Sequence, residues 1–571
     1  MQSERIGAEQ FQICILQQFS IFDVALNGNQ ISEPGTSRRK TELMSDKLQF
    51  ADRAGQAKAC LIFWRWWLPA TVLSLILGLI FVDPFIGDWD SFEYTLSALR
   101  GAPSSMALGR SLFIFYNHAL YLFAHTLFGL PPHRAYLLFK YVVVAQGALA
   151  IIACWVLTHD LTRSRHAATI ATLLIAFSPV FILYSGQVMT DVPALLLTTI
   201  ALIIYLRGLR QRNIVLMMIG AALLGAGVNL RETVSFYAPW LIFAPFVCGW
   251  PVDRKTLLLV AASSLIFLIC ASSAFGFWFL ADPNYRAAWY GWRESMRVES
   301  ARHPVSARIV WPWLAFFLAT APLVPITLPF AMASEWRKHR LSPMLLIAAM
   351  GLFANLLLLA NYSTAVIWRY FLTGLPALVP LSSNYLIESF TNRLGTTRRA
   401  FLASAAVIGP IAIAFGIYFW PLRNEIVTVR AASKEYDKDL NQLPRDAVMI
   451  AGAQSVAVKY WRGVGEGDWD VIAPGAGWPG TQLPSVIESY LKQERRVFID
   501  ADPRWWQPCG WHVPEIKELT RLPSWFHFRR ITLTIYEIRP QEDSSATDQP
   551  RLENLLPENR PKEVKKCFNP E

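Results

Sequence analysis

Gly87-Asp88-Trp89-Asp90-Ser91-Phe92-Glu93-Tyr94 follows the first long apolar run of the chain, residues 66–82. Asp88, Asp90 and Glu93 stand where a helix that has crossed a bilayer would emerge. Carboxylates at the ends of membrane helices are costly unless water, a partner or a substrate meets them. A second isolated acid, Asp191, lies in Val188-Met189-Thr190-Asp191-Val192-Pro193, between two later apolar runs. Two such acids in an oily chain predict one polar cavity at the membrane surface.

The composition supports many spans. Of 571 residues, 53% are hydrophobic and 17% charged, against about 25% charged in soluble proteins. Mean hydropathy is +0.31. Twenty-two tryptophans suit wide aromatic belts at two interfaces. The net charge of +11 is concentrated in short loops between apolar runs, so it reads as an orientation signal and not as a nucleic-acid surface. The seven cysteines form no Cys-x-x-Cys pair. Cys154, Cys248 and Cys270 read as core residues, and Cys509 and Cys567 could pair only in an exported compartment.

The apolar runs are 66–82, 111–129, 135–157, 167–186, 191–206, 214–228, 234–249, 257–280, 309–331, 341–360, 367–388 and 400–420. Basic clusters at Arg163/Arg165, Arg207/Arg210/Arg212, Arg254/Lys255, Arg337/Lys338/Arg340 and Arg393/Arg398/Arg399 should face the cytoplasm. That parity closes only if 111–129 does not span. Its mixture of Phe113, Phe115, Tyr116, Asn117, His118, Tyr121 and His125 suits a helix lying in the interface. The expectation is about eleven spans with the N-terminus inside and the C-terminus outside. Asp88, Asp90, Asp191, Arg231 and Arg369 then share the outer side. One loop runs against the charge rule: 281–308 is external yet holds Arg286, Arg293, Arg297, Arg302 and Arg308. It reads either as an ordinary mixed-charge loop or as a basic lid over an anion.

Four regions follow. Residues 1–58 are expected to be a disordered cytosolic extension, with Met44 an alternative start. Residues 59–420 form the polytopic helical domain. Residues 421–540 read as a small α/β domain outside the membrane: strands near Val448–Ala451, Val471–Ile472 and Val497–Asp500, a helix over 482–494, and a hairpin over Phe526–Ile538. Residues 541–571, rich in Pro, Glu, Lys and Asn, are expected to be a disordered tail. Asp500 and Asp502 could mark a ligand site, although capping a strand end is the plainer role. Pro474-Gly475-Ala476-Gly477-Trp478 lacks the spacing of a dinucleotide fingerprint.

With these pieces in order, the chain resembles the GT-C glycosyltransferases that use lipid-linked sugars, and within them the protein O-mannosyltransferase and lipid A aminoarabinose transferase group. Asp90-Ser91-Phe92-Glu93-Tyr94 matches that family's Asp-x-x-x-Tyr motif in the first external loop. The helix at 111–129 stands where the family has interfacial helices. Asp191 matches its second acid, Arg231 its later basic residue, and Arg369, Tyr370 and Pro376 its late Arg-Tyr-x-x-x-x-x-Pro pattern. The resemblance covers about 60 to 420. Where the aminoarabinose transferases carry an acid and then Lys-Pro, this chain reads Ala107-Leu108-Gly109-Arg110-Ser111: Arg110 could stand for the lysine, and the acid is missing.

The resemblance implies a GT-C fold and a polyprenyl-phosphate sugar donor, whose sugar passes to an acceptor hydroxyl on a lipid, protein or polysaccharide. It implies Asp90 as general base and Asp191 as a second catalytic acid that orients the acceptor or positions a cation. Tyr94, Arg110, Arg231, Arg369 and Tyr370 would bind substrate, the arginines holding the leaving phosphate. No cofactor is expected. A divalent metal is not supported, since the only histidine of the 281–308 loop is His303, and His118 and His125 lack i, i+4 spacing. Local structure offers plainer roles: Asp88 as a cap for a helix over 91–100, Asp191 as a cap for the run at Val192, Arg231 as partner of Glu232. The expected location is a bacterial inner membrane, with residues 421–540 in the periplasm. Two other functions share this texture: a flippase of lipid-linked glycans and a non-enzymatic membrane sensor. The absence of paired Gly/Pro-broken helices in matching halves speaks against transport.

Overall fold

The structure, a computed structural model, describes residues 66–82, 89–103, 110–283, scattered positions from 285 to 321, 323–361, 368–393, 397–451, 455–463, 469–472, 483–500, 526–532 and 535–540. The chain divides into two units, Met1–Leu73 and Ser74–Glu571. The described part of the first is the opening of an apolar helix, α1 (Trp66–Phe81).

In the second unit, α2 (Trp89–Arg100) and α3 (Ser111–Phe128) precede α4 (Ala135–Thr162). Next come α5 (Arg165–Ala176), α6 (Pro179–Ser185), α7 (Asp191–Gln211), α8 (Ile214–Val228), α9 (Ala238–Val247) and α10 (Arg254–Ala281). Beyond these lie α11 (Val324–His339), α12 (Pro343–Asn361), α13 (Leu375–Arg393) and the 44-residue α14 (Thr397–Leu440). Among the described residues, three helical stretches are long and apolar enough to cross a membrane: Pro132–Thr162, Asp191–Gln211 and Arg254–Ala281. The protein is an integral membrane protein.

The run 167–186, expected as one span, is two helices. α5 and α6 meet at a 65° bend. Pro179 has no N–H to continue the ladder, and Ser178 restarts the helix, its Oγ accepting from Phe181 N at 3.2 Å. The bend leads into the buried segment Gln187–Thr190, which ends at Asp191.

α7 and α8 form a tight antiparallel hairpin. Arg212 closes α7 in the left-handed region at φ 51°, and Asn213 caps α8 by accepting from Leu216 N at 3.2 Å. The backbones touch through glycine: a Cβ on Gly220 would lie 2.8 Å from Tyr205 N, and one on Gly208 2.8 Å from Met217 N. Close small-residue contact of this kind stabilises helix pairs where water cannot. The hairpin brings the first residue of α7, Asp191, level with the segment that follows α8, which holds Arg231.

After α14 the chain builds a five-stranded sheet, β1 (Val448–Ile450), β2 (Asp470–Ile472), β3 (Val497–Asp500), β4 (Phe526–Arg530) and β5 (Ile535–Pro540), in the order β2-β1-β3-β5-β4. β1 pairs in parallel with β2 and β3, while β5 is antiparallel to β3 and β4. β1 and β3 are buried throughout, as central strands covered on both faces must be. Val448, Ile450, Val497 and Ile499 pack with Ile487 of α15 (Leu483–Lys492), while Met449 and Phe498 pack with Tyr436 and Leu440 at the end of α14. The domain is therefore built onto the end of α14, a helix that runs unbroken through position 421.

Candidate functional site

Asp90 and Tyr94 are one helical turn apart on α2, which gives them a common face. That face is held by α3: Tyr94 meets Phe113 edge-on at 5.6 Å, and His118 Nδ1 hydrogen-bonds the Ala98 carbonyl at 2.7 Å. The start of α3 is fixed in turn, because Leu112 N donates to the Asn229 carbonyl at 3.0 Å. The segment around Asn229 leads to Arg231, whose backbone is extended and which precedes the 3-10 turn Glu232–Tyr237. Tyr237 Oη then donates to the Thr373 carbonyl at 2.6 Å, joining this turn to the 3-10 turn Trp368–Gly374 that carries Arg369 and Tyr370.

The seven residues that the family resemblance assigns to catalysis or substrate binding meet at this junction. Arg231 Nη1 lies 2.7 Å from Asp191 Oδ1, with both side chains buried. Arg369 pairs with Asp90, 279 positions away in sequence, and its Nε is 3.7 Å from Asp191 Oδ2. Tyr370 lies under both guanidinium groups, with ring-to-carbon distances of 5.1 Å for Arg231 and 5.9 Å for Arg369. Arg110 sits over the Tyr94 ring at 5.3 Å and donates to Glu232 at 3.3 Å. The set holds three carboxylates and three guanidiniums.

The plainer local roles fare differently. Asp191 is not a cap: Thr190 holds the cap position with no side-chain bond, and the Asp191 carboxylate faces arginines. It is wholly buried, and its charge is balanced there by the two guanidiniums. Arg231 pairs with Asp191 and not with its neighbour Glu232, which turns instead to Arg110. Asp88 lies outside the described residues, as do Arg302, His303, Arg308, the Gly-rich 474–478 segment, Asp502, Cys509 and Cys567. Arg286 of the basic loop is spent on α10, its Nε and Nη2 donating to the Phe279 and Leu280 carbonyls at 3.0 and 3.2 Å. His125 bonds the Leu130 carbonyl at 2.9 Å. Among the described residues no group of three or more His, Cys, Asp or Glu side chains is placed to hold a metal ion.

Sequence reading missed four members of the site. Glu232, expected as a partner of Arg231, pairs with Arg110 instead. Thr190 accepts from Arg231 at 3.3 Å, Met189 Sδ lies 3.3 Å from Arg369 Nη1, and the Tyr184 ring faces Arg369 at 5.8 Å. Tyr184 and Met189 lie on and just beyond α6, so the bend at Ser178 is what delivers them. The Ser-Pro pair was the available signal.

Charge balance decides the protonation states. Burial raises the Asp90 pKa, but Arg369, Arg110 and Arg231 outweigh it and hold the carboxyl below its ordinary value. Glu232 is likewise raised by burial and brought below its ordinary value by Arg110 and Arg231. Each arginine is thus paired with a carboxylate. Yet the buried Nε donors of Arg110 and Arg231 have no hydrogen-bond partner among the described residues. Convergent guanidinium donors next to an ionised carboxylate suit a site that binds an oxyanion and takes up a proton.

Residues 119–275 match the family model described as dolichyl-phosphate-mannose-protein mannosyltransferase. Among curated proteins none matches in sequence. Among solved structures, the chain is similar to ArnT from Cupriavidus metallidurans bound to undecaprenyl phosphate, with 13% identity, coverage of 83% of this chain and 98% of that one, and a TM-score of 0.52. The apo form of that protein gives 13% identity, 83% and 97% coverage and a TM-score of 0.52. The oligosaccharyltransferase of Archaeoglobus fulgidus in its apo form has 15% identity, 85% and 75% coverage and a lower TM-score of 0.47. The chain has the GT-C fold, and its resemblance to the GT-C superfamily glycosyltransferases holds in both fold and matched segment.

Proposed function

We propose that the protein is a membrane glycosyltransferase that moves one sugar from a polyprenyl-phosphate donor to an acceptor hydroxyl. The observation that carries this reading is the meeting of Asp90 and Asp191 on Arg369, from three distant segments. The similarity to a structure that binds undecaprenyl phosphate supports the class of donor. In this reading about eleven helices span a bacterial inner membrane, with the N-terminus in the cytoplasm and the sheet domain on the outer face.

The donor phosphate binds among Arg110, Arg231 and Arg369, where guanidinium forks match its oxygens. Arg369 exchanges its bond to Asp90 for one to phosphate, and Asp90 is released as a carboxylate. The acceptor hydroxyl attacks the anomeric carbon and its proton passes to Asp90. A new C–O bond forms, the sugar–phosphate C–O bond breaks, and the polyprenyl phosphate departs as a monoester dianion held by the arginines. One displacement gives inversion. Asp191 keeps Arg231 and Arg369 oriented from behind. Tyr370 supports both guanidiniums, and Tyr94 packs beside the sugar.

The test is transfer by purified protein from polyprenyl-phosphate hexoses and pentoses to candidate lipid, peptide and glycan acceptors. Asp90→Asn is expected to lose about 10²–10⁴-fold in kcat, the usual contribution of a general base. Full turnover by this variant would remove Asp90 from the chemistry. Lipid translocation without any change in glycosidic bonds would replace the reading with a flippase.

A further inference from the structure

α2 has two working faces. Asp90 and Tyr94 turn to the arginine cluster. Phe92, Leu96 and Leu99, at the i, i+4, i+7 spacing of a single helical stripe, turn the other way. That second stripe does not meet the membrane helices alone. It is covered by α16 (Ser455–Gly463), which lies in the sequence between β1 and β2 of the sheet domain.

The seam is dry and aromatic. Phe92 is 2% exposed, Leu96 5% and Tyr460 3%. The Phe92 ring lies 5.6 Å from Tyr460 and 5.4 Å from Trp461, the latter edge-on. Tyr136, at the start of α4, meets Tyr460 edge-on at 6.3 Å. Tyr460 Oη donates to the His133 carbonyl at 2.9 Å, in the turn joining α3 to α4. One residue of the sheet domain thus grips both the helix that bears Asp90 and the turn beneath it. The same helix is anchored in its own domain, because Trp461 packs with Tyr436 and Val458 in the second core of the sheet. Arg462 donates to Asp437 Oδ1 at 3.1 Å and to Asn441 Oδ1 at 2.7 Å.

We infer that α16 is a positioning element for the proposed glycosyl transfer: through Tyr460 and Trp461 packed on Phe92, the sheet domain fixes the register of α2 and so the placement of Asp90 against Arg369. This gives residues 421–540 a role in the chemistry that needs no ligand site of their own. It rests on the proposed function for its kinetic consequence, while the mechanical coupling stands on the contacts alone. Tyr460 and Phe92 touch no reacting group; they act through α2.

The test uses the full-length protein in lipid nanodiscs, with Tyr460→Ala, Tyr460→Phe, Phe92→Ala and the double alanine variant. Hydrogen exchange over 89–100 is read together with transfer kinetics. Tyr460→Ala is expected to speed exchange in 89–100 and to lower kcat on the order of 10–100-fold, the scale of a small misplacement of a reacting group. The donor KM should change less than kcat, since no phosphate-binding arginine lies on α2 itself. Tyr460→Phe keeps the ring and loses only the hydroxyl, so it should recover most of kcat. The double variant should be little worse than either single one, because both break one seam. Unchanged exchange over 89–100 in Tyr460→Ala would overturn the coupling. Faster exchange with wild-type kcat would overturn the positioning role. If the wild-type protein transfers no sugar from any donor, the proposed function fails, and the exchange result alone then decides whether α16 holds α2.

Discussion

Replacing Asp191 with asparagine removes one charge from the most buried part of the site and nearly nothing else. Asp191 is 0% exposed, 2.7 Å from Arg231 Nη1 and 3.7 Å from Arg369 Nε. At an effective dielectric constant of about 20, those separations correspond to attractions of about 6 and about 4.5 kcal/mol. Most of this is offset by the cost of taking the carboxylate out of water, and removing one partner of a buried pair costs about 3–5 kcal/mol net. Asp191→Asn is therefore expected to lower the thermal midpoint of the detergent-solubilised protein by several degrees. It also leaves three arginines facing two carboxylates. Polyprenyl phosphate should then stabilise the variant more than the wild type, because its negative charge offsets the uncompensated arginine charge that the lost Asp191 carboxylate leaves behind. A ligand at 100 times its dissociation constant stabilises by about 2.7 kcal/mol, so most of the deficit should return. The assay is thermal unfolding with and without polyprenyl phosphate. An unchanged midpoint in the absence of lipid, or a lipid-induced shift no larger than that of the wild type, would refute the reasoning that Asp191 neutralises the phosphate-binding arginines.

The depressed pKa of Asp90 gives a signed pH dependence. Its pairing with Arg369 contributes stability above the ordinary carboxylate range, and that contribution is lost as pH falls through the lowered folded value. Donor phosphate takes Arg369 away, so the acid limb of kcat should lie at higher pH than the acid limb of kcat/KM; a reversed order would contradict the exchange of partners. Arg110→Ala should raise the donor KM tenfold or more while releasing Glu232, on the order of one charged hydrogen bond, and a KM unchanged from wild type would remove Arg110 from the phosphate site. Gly220→Ala places a methyl 2.8 Å from Tyr205 N. It should destabilise by about 1–3 kcal/mol through overpacking of the α7–α8 hairpin and weaken activity by moving Arg231 from Asp191, as measured by unfolding midpoint and turnover.

Four of the residues that meet at the junction were legible because charge in an apolar chain is conspicuous, while Tyr94, Arg110 and Tyr370 came from the family resemblance. Asp90, Asp191, Arg231 and Arg369 each stand at the end of an apolar run, where hydropathy alone makes them expensive. The sheet domain was also legible: alternation and short apolar runs marked its strands to within about two residues, and the helix over 483–492 showed on one face of 482–494. Pattern could not assign partners. Glu232 follows Arg231 in sequence, yet an extended backbone at Arg231 sends the two side chains to different neighbours. Nor could hydropathy see the 65° bend in 165–185, because both halves are equally apolar and only the Ser178-Pro179 junction breaks the ladder.

The sequence by itself determined which residues are costly and the class of fold, since these follow from local propensity and from the free energy of placing charge in an apolar environment. Tertiary structure decided who meets whom. Arg369 reaches Asp90 across 279 positions, and Tyr460 reaches His133 across 327. Such distances are bridged by hairpin geometry and by packing of small residues, and no local pattern encodes them. Phe92 in Asp90-Ser91-Phe92-Glu93-Tyr94 shows the division most clearly. Read as sequence it is an apolar residue in an acidic motif; folded, it is where the sheet domain holds the proposed base in place.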